Sequence, residues 1–184
     1  MKLLTGILMI LFLSAGCSMT PKQPALHDFG LTTSSPLDNG KPEAESTITV
    51  DAPSWLWDTR IRYRLLYKSL THIGFYALDL WIAPPPELFR QQLLAGGKLS
   101  NYRLVIRLLE FEQQFDALDK ARVVLRFSAE ARSPDNQRTV GIQTFRLEQA
   151  TASANAAGAV AGFAGLTRQA TDRIHGWLSG LAGK

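Results

Sequence analysis

The pattern of apolar residues predicts an α+β domain, in which an antiparallel sheet has helices packed on one face and the chain ends in a long helix. Two observations lead to this fold class. Segments that alternate between apolar and polar residues, as half-buried strands do, are separated by short turns rich in Ser, Pro, Asp and Asn. Other segments repeat their apolar residues every three or four positions, which is the period of a helix.

Composition limits the classes of protein to which the chain can belong. It has 184 residues, of which 46% are hydrophobic and 20% charged, as is typical of one globular domain. The net charge of +4 is mild and the basic residues are dispersed, so no nucleic-acid partner is indicated. A single cysteine excludes an intrachain disulfide and a cysteine-based metal cluster.

The N-terminus has the form of an export signal. Lys2 precedes an apolar run over residues 3–13, which is shorter than the roughly 20 residues that span a bilayer. Small residues follow, and the segment Leu13-Ser14-Ala15-Gly16-Cys17 resembles a bacterial lipobox, whose cysteine is acylated. The alternative is an ordinary signal peptide with an incidental cysteine.

Acylation at Cys17 predicts three parts of the chain. These are a lipoprotein signal peptide over residues 1–16, a lipidated cysteine with its tether over 17–25, and a single domain over 26–184. Several acyl chains, such as palmitate, hold a protein stably on a membrane, whereas one chain is marginal. Because Ser18 stands where Asp commonly marks inner-membrane retention, we expect an outer-membrane anchor and a domain that faces the periplasm.

The first half of the domain is predicted to contain four strands and a helix. The strands cover residues 26–32, 47–50, 61–67 and 75–81. The last of them is either a strand or a bridge into the helix. Residues 33–46 form a polar loop. Three prolines and Glu87 then begin the helix, because proline and an acidic residue suit the first helical turn.

The second half is predicted to contain three longer strands and the terminal helix. The strands cover residues 104–115, 123–132 and 140–148. In the third strand the apolar phase slips between Ile142 and Phe145, which predicts a bulge near Gln143. The helix covers residues 153–181. Its apolar stripe consists of Val160, Phe163, Thr167, Ala170, Ile174, Trp177 and Leu181.

The beginning of the terminal helix, up to residue 165, consists almost wholly of Ala and Gly. Small residues allow another backbone or side chain to approach closely. One interpretation is close packing on the protein's own sheet. The other is a contact between the subunits of a homo-oligomer.

No catalytic, metal or cofactor site is predicted. His27, His72 and His175 lie in different elements and lack the spacing of metal ligands. No nucleophile elbow and no phosphate-binding glycine loop is present. His175 is expected to act as a cation near the C-terminus of the last helix.

Two glutamates are open to two interpretations. Glu110 and Glu112 lie two residues apart on a strand and therefore share a face. Paired carboxylates can perform acid–base chemistry. The alternative is a solvated strand face on which they pair with Arg126 or Arg146 of neighbouring strands.

A partner-docking surface is predicted around an aromatic turn and a basic strand. Arg62 and Arg64 share a face of their strand, and they either contact lipid head groups or an acidic partner, or form an ordinary outward face. Trp55, Trp57 and Trp81 belong to an aromatic set that is either core or, where exposed, an interface patch.

Four sequence blocks, in order behind a lipobox, resemble the ABC-type transport auxiliary lipoprotein family. They are residues 48–56, residues 61–65, Tyr76-Ala77 with Trp81-Ile82-Ala83-Pro84-Pro85, and residues 109–116. The resemblance runs from about Leu26 to the C-terminus. The family often has Arg directly before the Trp of the third block. Leu80 stands there in this chain, so no role for that Arg is carried over.

The resemblance implies an α+β fold and a non-enzymatic role. Family members are accessories of ABC transporters with a mammalian-cell-entry (MCE) domain protein, which move lipids or other apolar compounds between two membranes. The implied partners are the periplasmic MCE-domain protein and its ABC permease and ATPase. One alternative is a structural or assembly lipoprotein of another envelope complex. Another is a lipid-modifying enzyme, for which the sequence contains no convergent nucleophile and base.

Overall fold

The computed structural model describes residues 22–30, 47–96 and 102–182. The predicted signal peptide, Cys17, most of the tether and the predicted loop at 33–46 lie outside the described residues. The strands are β1 (Ala25–His27), β2 (Ile48–Asp51), β3 (Arg60–Leu65), β4 (Ile73–Trp81), β5 (Arg103–Phe115), β6 (Ala121–Arg132) and β7 (Thr139–Ala150). The α-helices are α1 (Pro85–Ala95) and α2 (Ala156–Ala182).

These strands join in one sheet, and the predicted α+β fold class is confirmed. The strand order is β1-β4-β3-β5-β6-β7, and β2 also pairs with β5. The prediction that the sheet is antiparallel is wrong in part, because the pairs β1–β4, β2–β5 and β3–β5 run parallel. In each of these pairs other elements intervene along the chain and restore the strand direction. Residue alternation does not report direction, so the sequence pattern could not reveal this.

The long strand β5 pairs with two shorter strands, one after the other, along one of its edges. β2 pairs with its residues 104–107 and β3 with its residues 113–115. Between β2 and β3 the chain leaves the sheet in a short 3-10 turn, Ser54–Leu56. β5 itself has a bulge in this stretch, because Leu109 is passed over in the pairing with β6. The sheet therefore has an interruption beside Trp55.

Both helices pack on the same side of the sheet and bury its apolar side chains. α1 contacts β2, whereas α2 contacts β6 and β7. The rings of Phe111 and Phe163 stack with centroids 3.8 Å apart, and Trp81 packs edge-on against both at 5.9 Å. Because these three rings come from β4, β5 and α2, they join the terminal helix to the sheet.

The predicted stripe of the terminal helix is confirmed, since its residues are buried or pack against the core. Asn155 caps the helix, and its Oδ1 accepts a hydrogen bond from the Gly158 N–H at 3.0 Å. A Cβ at Gly162 would lie 2.7 Å from Cγ2 of Val123 on β6. Packing on the protein's own sheet is thus confirmed, and the subunit contact stays a prediction. Neither helix within the described ranges combines the length and hydropathy needed to cross a membrane.

The bulge predicted near Gln143 is wrong. β6 and β7 pair without interruption over residues 141–150, and the irregularity falls at Val140. The apolar phase slips because Ile142 points away from the core and is 68% exposed, whereas Phe145 is buried. One outward-facing isoleucine therefore produced the sequence pattern of a bulge.

Candidate functional site

The side of the sheet opposite the helices is rich in paired charges. Successive side chains of a strand point to opposite faces, so the apolar set of each strand faces the helices and the charged set faces away. We call this surface the open face. It includes Arg62, Arg64, Glu110, Glu112, Gln114, Arg122, Arg126, Arg146 and Glu148.

Arg64 and Glu112 form the most buried ion pair among the described residues. The guanidinium donates to both carboxylate oxygens, over 2.7 Å from Nε and 3.1 Å from Nη2, and its Nη1 donates to the Leu70 carbonyl. The hydrogen bond to Glu112 raises the pKa of Arg64. Glu112 is only 5% exposed, so loss of Arg64 would leave a buried carboxylate without its ion-pair partner. The pair therefore has a structural role and joins β3 to β5.

Glu110 belongs to the same network. Gln114 Nε2 donates to Glu110 at 2.9 Å and to Glu112 at 3.0 Å. Glu110 Oε2 accepts a hydrogen bond from Arg146 at 2.7 Å and lies 3.4 Å from Nε of Arg126. The cross-strand partners predicted for Glu110 are confirmed, but the prediction of a solvated face is wrong for buried Glu112. Carboxylates held by this many donors favour the structural interpretation over an acid–base pair.

A groove of about 520 Å³ lies beside this network, where the chain leaves the edge of β5 between β2 and β3. We call it the arginine groove. Apolar side chains form part of its wall, and charged side chains from three strands form the remainder. The lining includes Trp55, Ile73, Arg62, Arg64, Glu112 and Arg126.

Arg62 differs from Arg64 because no carboxylate within the described residues pairs with it directly. Its Nη1 donates to the Trp55 carbonyl at 2.8 Å, and its buried Nε has no hydrogen-bond partner. Burial lowers the pKa of Arg62, while the nearby charge of Glu112 acts in the opposite direction. Arg62 thus lines the groove with a guanidinium that no carboxylate of the described residues neutralises directly, and an anionic group that enters the groove could pair with this charge.

The structure separates the predicted docking residues into two groups. Trp55 is 59% exposed at the rim of the arginine groove, and Trp57 is exposed nearby. Arg62 and Arg64 line the groove. Trp81 is wrong as a docking residue, because it is 2% exposed and packs in the aromatic core. For Trp81, the core interpretation is the correct one.

The histidines do not form a site. Within the ranges 22–30, 47–96 and 102–182, no group of His, Cys, Asp and Glu side chains could hold a metal ion. His27 Nε2 lies 2.9 Å from Oδ1 of Asp79, and this contact joins β1 to β4. His175 lies before the last turn of α2, so its predicted role at the helix C-terminus is wrong.

Sequence reasoning missed a chain of polar groups between the sheet and the helices. The Tyr76 hydroxyl donates to Oε1 of Gln113 at 2.6 Å, and Nε2 of Gln113 donates to Oγ1 of Thr151 at 3.4 Å. The Thr151 hydroxyl donates to the Ala121 carbonyl at 3.1 Å. Burial raises the pKa of Tyr76. The available signal was Gln113 itself, a polar residue in the inward-facing phase of β5 between Phe111 and Phe115.

A second groove, of about 490 Å³, lies at the β1 edge of the sheet. We call it the apolar groove. It runs between β1, the end of β4 and the Ala-rich half of α2. The residues that give it its apolar character are Leu26, Phe29, Ile82, Val160, Ala161 and Ala164.

Comparison with known proteins identifies the fold. No family model and no curated protein matches the chain. A solved Xanthomonas campestris structure, described as family DUF330, matches with a TM-score of 0.64 and 19% identity, over 74% of this chain and 83% of that chain. A structure described as an uncharacterized protein matches with a TM-score of 0.62 and 15% identity, over 83% of this chain and 97% of that chain.

A third structure, described as a candidate lipoprotein from Caulobacter crescentus CB15, has 18% identity over 54% of this chain and 84% of that chain. Its TM-score of 0.43 marks a partial likeness. The first two structures share the fold of this chain, and the first of them is described as a DUF330 protein. At 15% and 19% identity, the likeness extends to the fold alone.

Proposed function

We propose that the protein is a non-enzymatic, periplasm-facing lipoprotein of the outer membrane and an auxiliary component of an MCE-type ABC transport system. Such a system moves lipids or other apolar compounds between the two membranes. In this proposal Cys17 holds the protein on the membrane. The folded domain docks onto the periplasmic MCE-domain protein, which links it to the permease and ATPase.

The observation that carries the docking role is the arginine groove. Arg64, Arg122, Arg126 and Arg146 pair with carboxylates on the open face, whereas Arg62 donates to a backbone carbonyl and its charge faces no direct carboxylate partner in the part of the chain that the structure describes. An exposed indole, Trp55, stands at the rim of the same groove. Tryptophan and arginine are the side chains that most often dominate binding energy at protein interfaces.

The groove favours a partner that presents an acidic side chain. Arg62, Arg64 and Arg126 outnumber the two glutamates of the lining. Arg64 and Arg126 already face carboxylates, so the charge that an incoming anion would meet is mainly that of Arg62. A charge-assisted hydrogen bond to a guanidinium in a partly buried groove gives both affinity and orientation.

The assignment to an MCE-type system is supported by the lipobox at Cys17 and the four sequence blocks that follow it. The α+β fold of the described residues agrees with the fold that this resemblance implies. Glu110 and Glu112 accept hydrogen bonds from arginine and glutamine side chains, which favours a structural role for the two carboxylates and agrees with a non-enzymatic protein.

The test is a pull-down of the full lipidated chain, carrying a C-terminal tag, from gently solubilised envelopes. We expect recovery of an MCE-domain protein together with its ABC subunits. Recovery of a different envelope machine without an MCE subunit would overturn the transport role and support the alternative of a structural or assembly lipoprotein.

The groove is tested in the same pull-down with Arg62→Ala and Trp55→Ala. Each substitution is expected to reduce the recovered partner about tenfold, which corresponds to about 1.4 kcal/mol of binding free energy. The matched control is Arg107→Ala, an exposed arginine on the open face of β5 outside the groove lining. Equal recovery with all three variants, with unchanged thermal unfolding, would exclude the groove as the docking site.

A further inference from the structure

We propose that the apolar groove at the β1 edge rests on the lipid bilayer in which the protein is anchored, so that the domain sits on the membrane in one orientation. This inference rests on the proposed acylation of Cys17. It adds a second membrane contact, made by the folded domain itself.

The first observation is the exposure of large aliphatic side chains at this edge. Leu26 on β1 and Ile82 after β4 are both more than half exposed, with Ile82 at 61%, and both line the apolar groove. Exposed aliphatic groups clustered around a groove indicate an interaction surface rather than scattered surface residues.

The second observation is the chemistry of the groove lining. The Ala-rich half of α2 supplies Val160, Ala161 and Ala164 as one wall. Of the polar residues at the groove, His27 contacts Asp79 and Asp28 accepts a hydrogen bond from the Gly30 N–H. Few polar groups of the groove therefore remain to form specific hydrogen bonds with a protein partner. A surface of this kind suits a partner that is apolar and has no fixed shape.

The third observation is the length of chain between the anchor and the groove. Leu26 follows Cys17 by nine residues. A chain of nine residues spans at most about 32 Å in any conformation. A domain of about 150 residues has a diameter of roughly 38 Å. The tether therefore keeps the β1 edge within about 32 Å of the membrane, whereas the opposite edge of the domain can lie farther away.

The orientation follows from the strand order. β1 and β7 are the two edges of the sheet, and five strand spacings of about 4.8 Å separate them by about 24 Å. With β1 on the bilayer, β7 and its exposed Ile142 point into the periplasm. The arginine groove, which begins at β3, then lies between these two edges and remains accessible to a periplasmic partner.

The experiment uses the full lipidated chain in vesicles of phosphatidylethanolamine and phosphatidylglycerol. Acylation blocks the only natural thiol, so a single new cysteine can carry an environment-sensitive NBD dye. The test positions are Ile82→Cys and Leu26→Cys, and the matched control is Ile142→Cys, another exposed isoleucine at the far edge. Vesicles are compared with and without lipids that carry a nitroxide quencher.

We expect a blue-shifted, lipid-quenched dye at positions 82 and 26 and a water-exposed, unquenched dye at position 142. Equal quenching at all three positions, or at none, would overturn the inference. A blue shift at position 82 without lipid quenching would also overturn it, because a second protein copy would then cover the groove.

Flotation with the vesicles distinguishes the lipid anchor at Cys17 from the contact between the folded domain and the membrane. A protein that floats while the dye at positions 82 and 26 stays unquenched contradicts the domain–membrane contact alone. A protein that does not float, and whose Cys17 takes up the dye, contradicts the anchor and this inference with it.

Discussion

The two faces of the sheet are stabilised by different forces. The face under the helices buries aliphatic and aromatic side chains, with the stacked rings of Phe111 and Phe163 at its centre. The open face is covered by arginines and glutamates that pair across strands. Burial of apolar area is non-directional, whereas charged hydrogen bonds require a defined geometry. The difference explains why the covered face provides stability and the open face presents donors at fixed positions.

The largest effect is expected on the covered face. Phe163→Ala should lower the free energy of unfolding by about 3–5 kcal/mol, because it removes a fully buried ring and leaves a cavity. Urea denaturation followed by circular dichroism measures this loss. Leu118→Ala, at an exposed position in the turn after β5, should change stability by less than about 0.5 kcal/mol. Similar losses for both variants would contradict the placement of the core.

The next largest loss of stability is expected at the buried ion pair of Arg64 and Glu112 on the open face. Glu112→Ala should destabilise the protein by about 3 kcal/mol, because it leaves the Arg64 guanidinium without its partner. Glu148→Ala removes a more exposed carboxylate of the same face and should cost less than about 1 kcal/mol. Denaturant unfolding of both variants measures the difference. Equal costs would mean that the face is uniformly solvated and that the Arg64 pair is not special.

A smaller effect concerns the contact between α2 and the sheet. Gly162→Ala should destabilise by about 2 kcal/mol, because the new Cβ would meet Val123 at 2.7 Å and β-branched valine has little freedom to move. Gly176→Ala, in the same helix but with no atom within 4 Å of the new Cβ, should stabilise by up to about 1 kcal/mol. Thermal unfolding of the pair gives both signs. A stabilising Gly162→Ala would contradict close packing of the helix on its sheet.

The smallest effect is the pH dependence contributed by carboxylates near the surface. Hydrogen bonds from Arg132 and then Thr139 hold the pKa of Glu130 below its ordinary value of 4.5, and Arg60 lowers the pKa of Asp58 from 3.8. A carboxyl whose folded pKa is depressed stabilises fully above its unfolded pKa, and this stability is lost as the pH falls through the folded pKa.

Glu130→Gln and Asp58→Asn should therefore flatten the loss of stability below about pH 4.5 and leave the slope near neutrality unchanged. Unfolding measured between pH 7 and pH 3 checks this. The difference from the unmodified protein should shrink in 1 M salt, where the Debye length is only about 3 Å. If both variants lost stability below about pH 4.5 as the unmodified protein does, these ion pairs would contribute no measurable stability.

The fold class and most element positions could be predicted because each depends on a local period. The strands after residue 100 and the terminal helix lie within a few residues of their predicted bounds. Strand direction could not be predicted, because parallel and antiparallel strands alternate in the same way. The bulge failed for a related reason, since the sequence does not tell whether an isoleucine such as Ile142 faces inward or outward.

The candidate site could be predicted only in its composition. The basic strand and the tryptophan turn were visible in the sequence, and Trp55, Arg62 and Arg64 do line one groove. The sequence did not distinguish Trp81, which is buried, from Trp55, which is exposed. It also did not distinguish Arg62 from Arg64, because only the pairing of β3 with β5 places Glu112 against Arg64.

By itself, the sequence determined what depends on neighbours along the chain. This includes the α+β class, the stripe of the last helix, and the expectation of a membrane anchor at Cys17. The tertiary structure decided what depends on residues far apart: the mixed sheet, the aromatic core and the partner of each arginine. The long strand β5 shows the physical reason. Two short strands share its edge, and the interruption between them creates the groove, which no local pattern encodes.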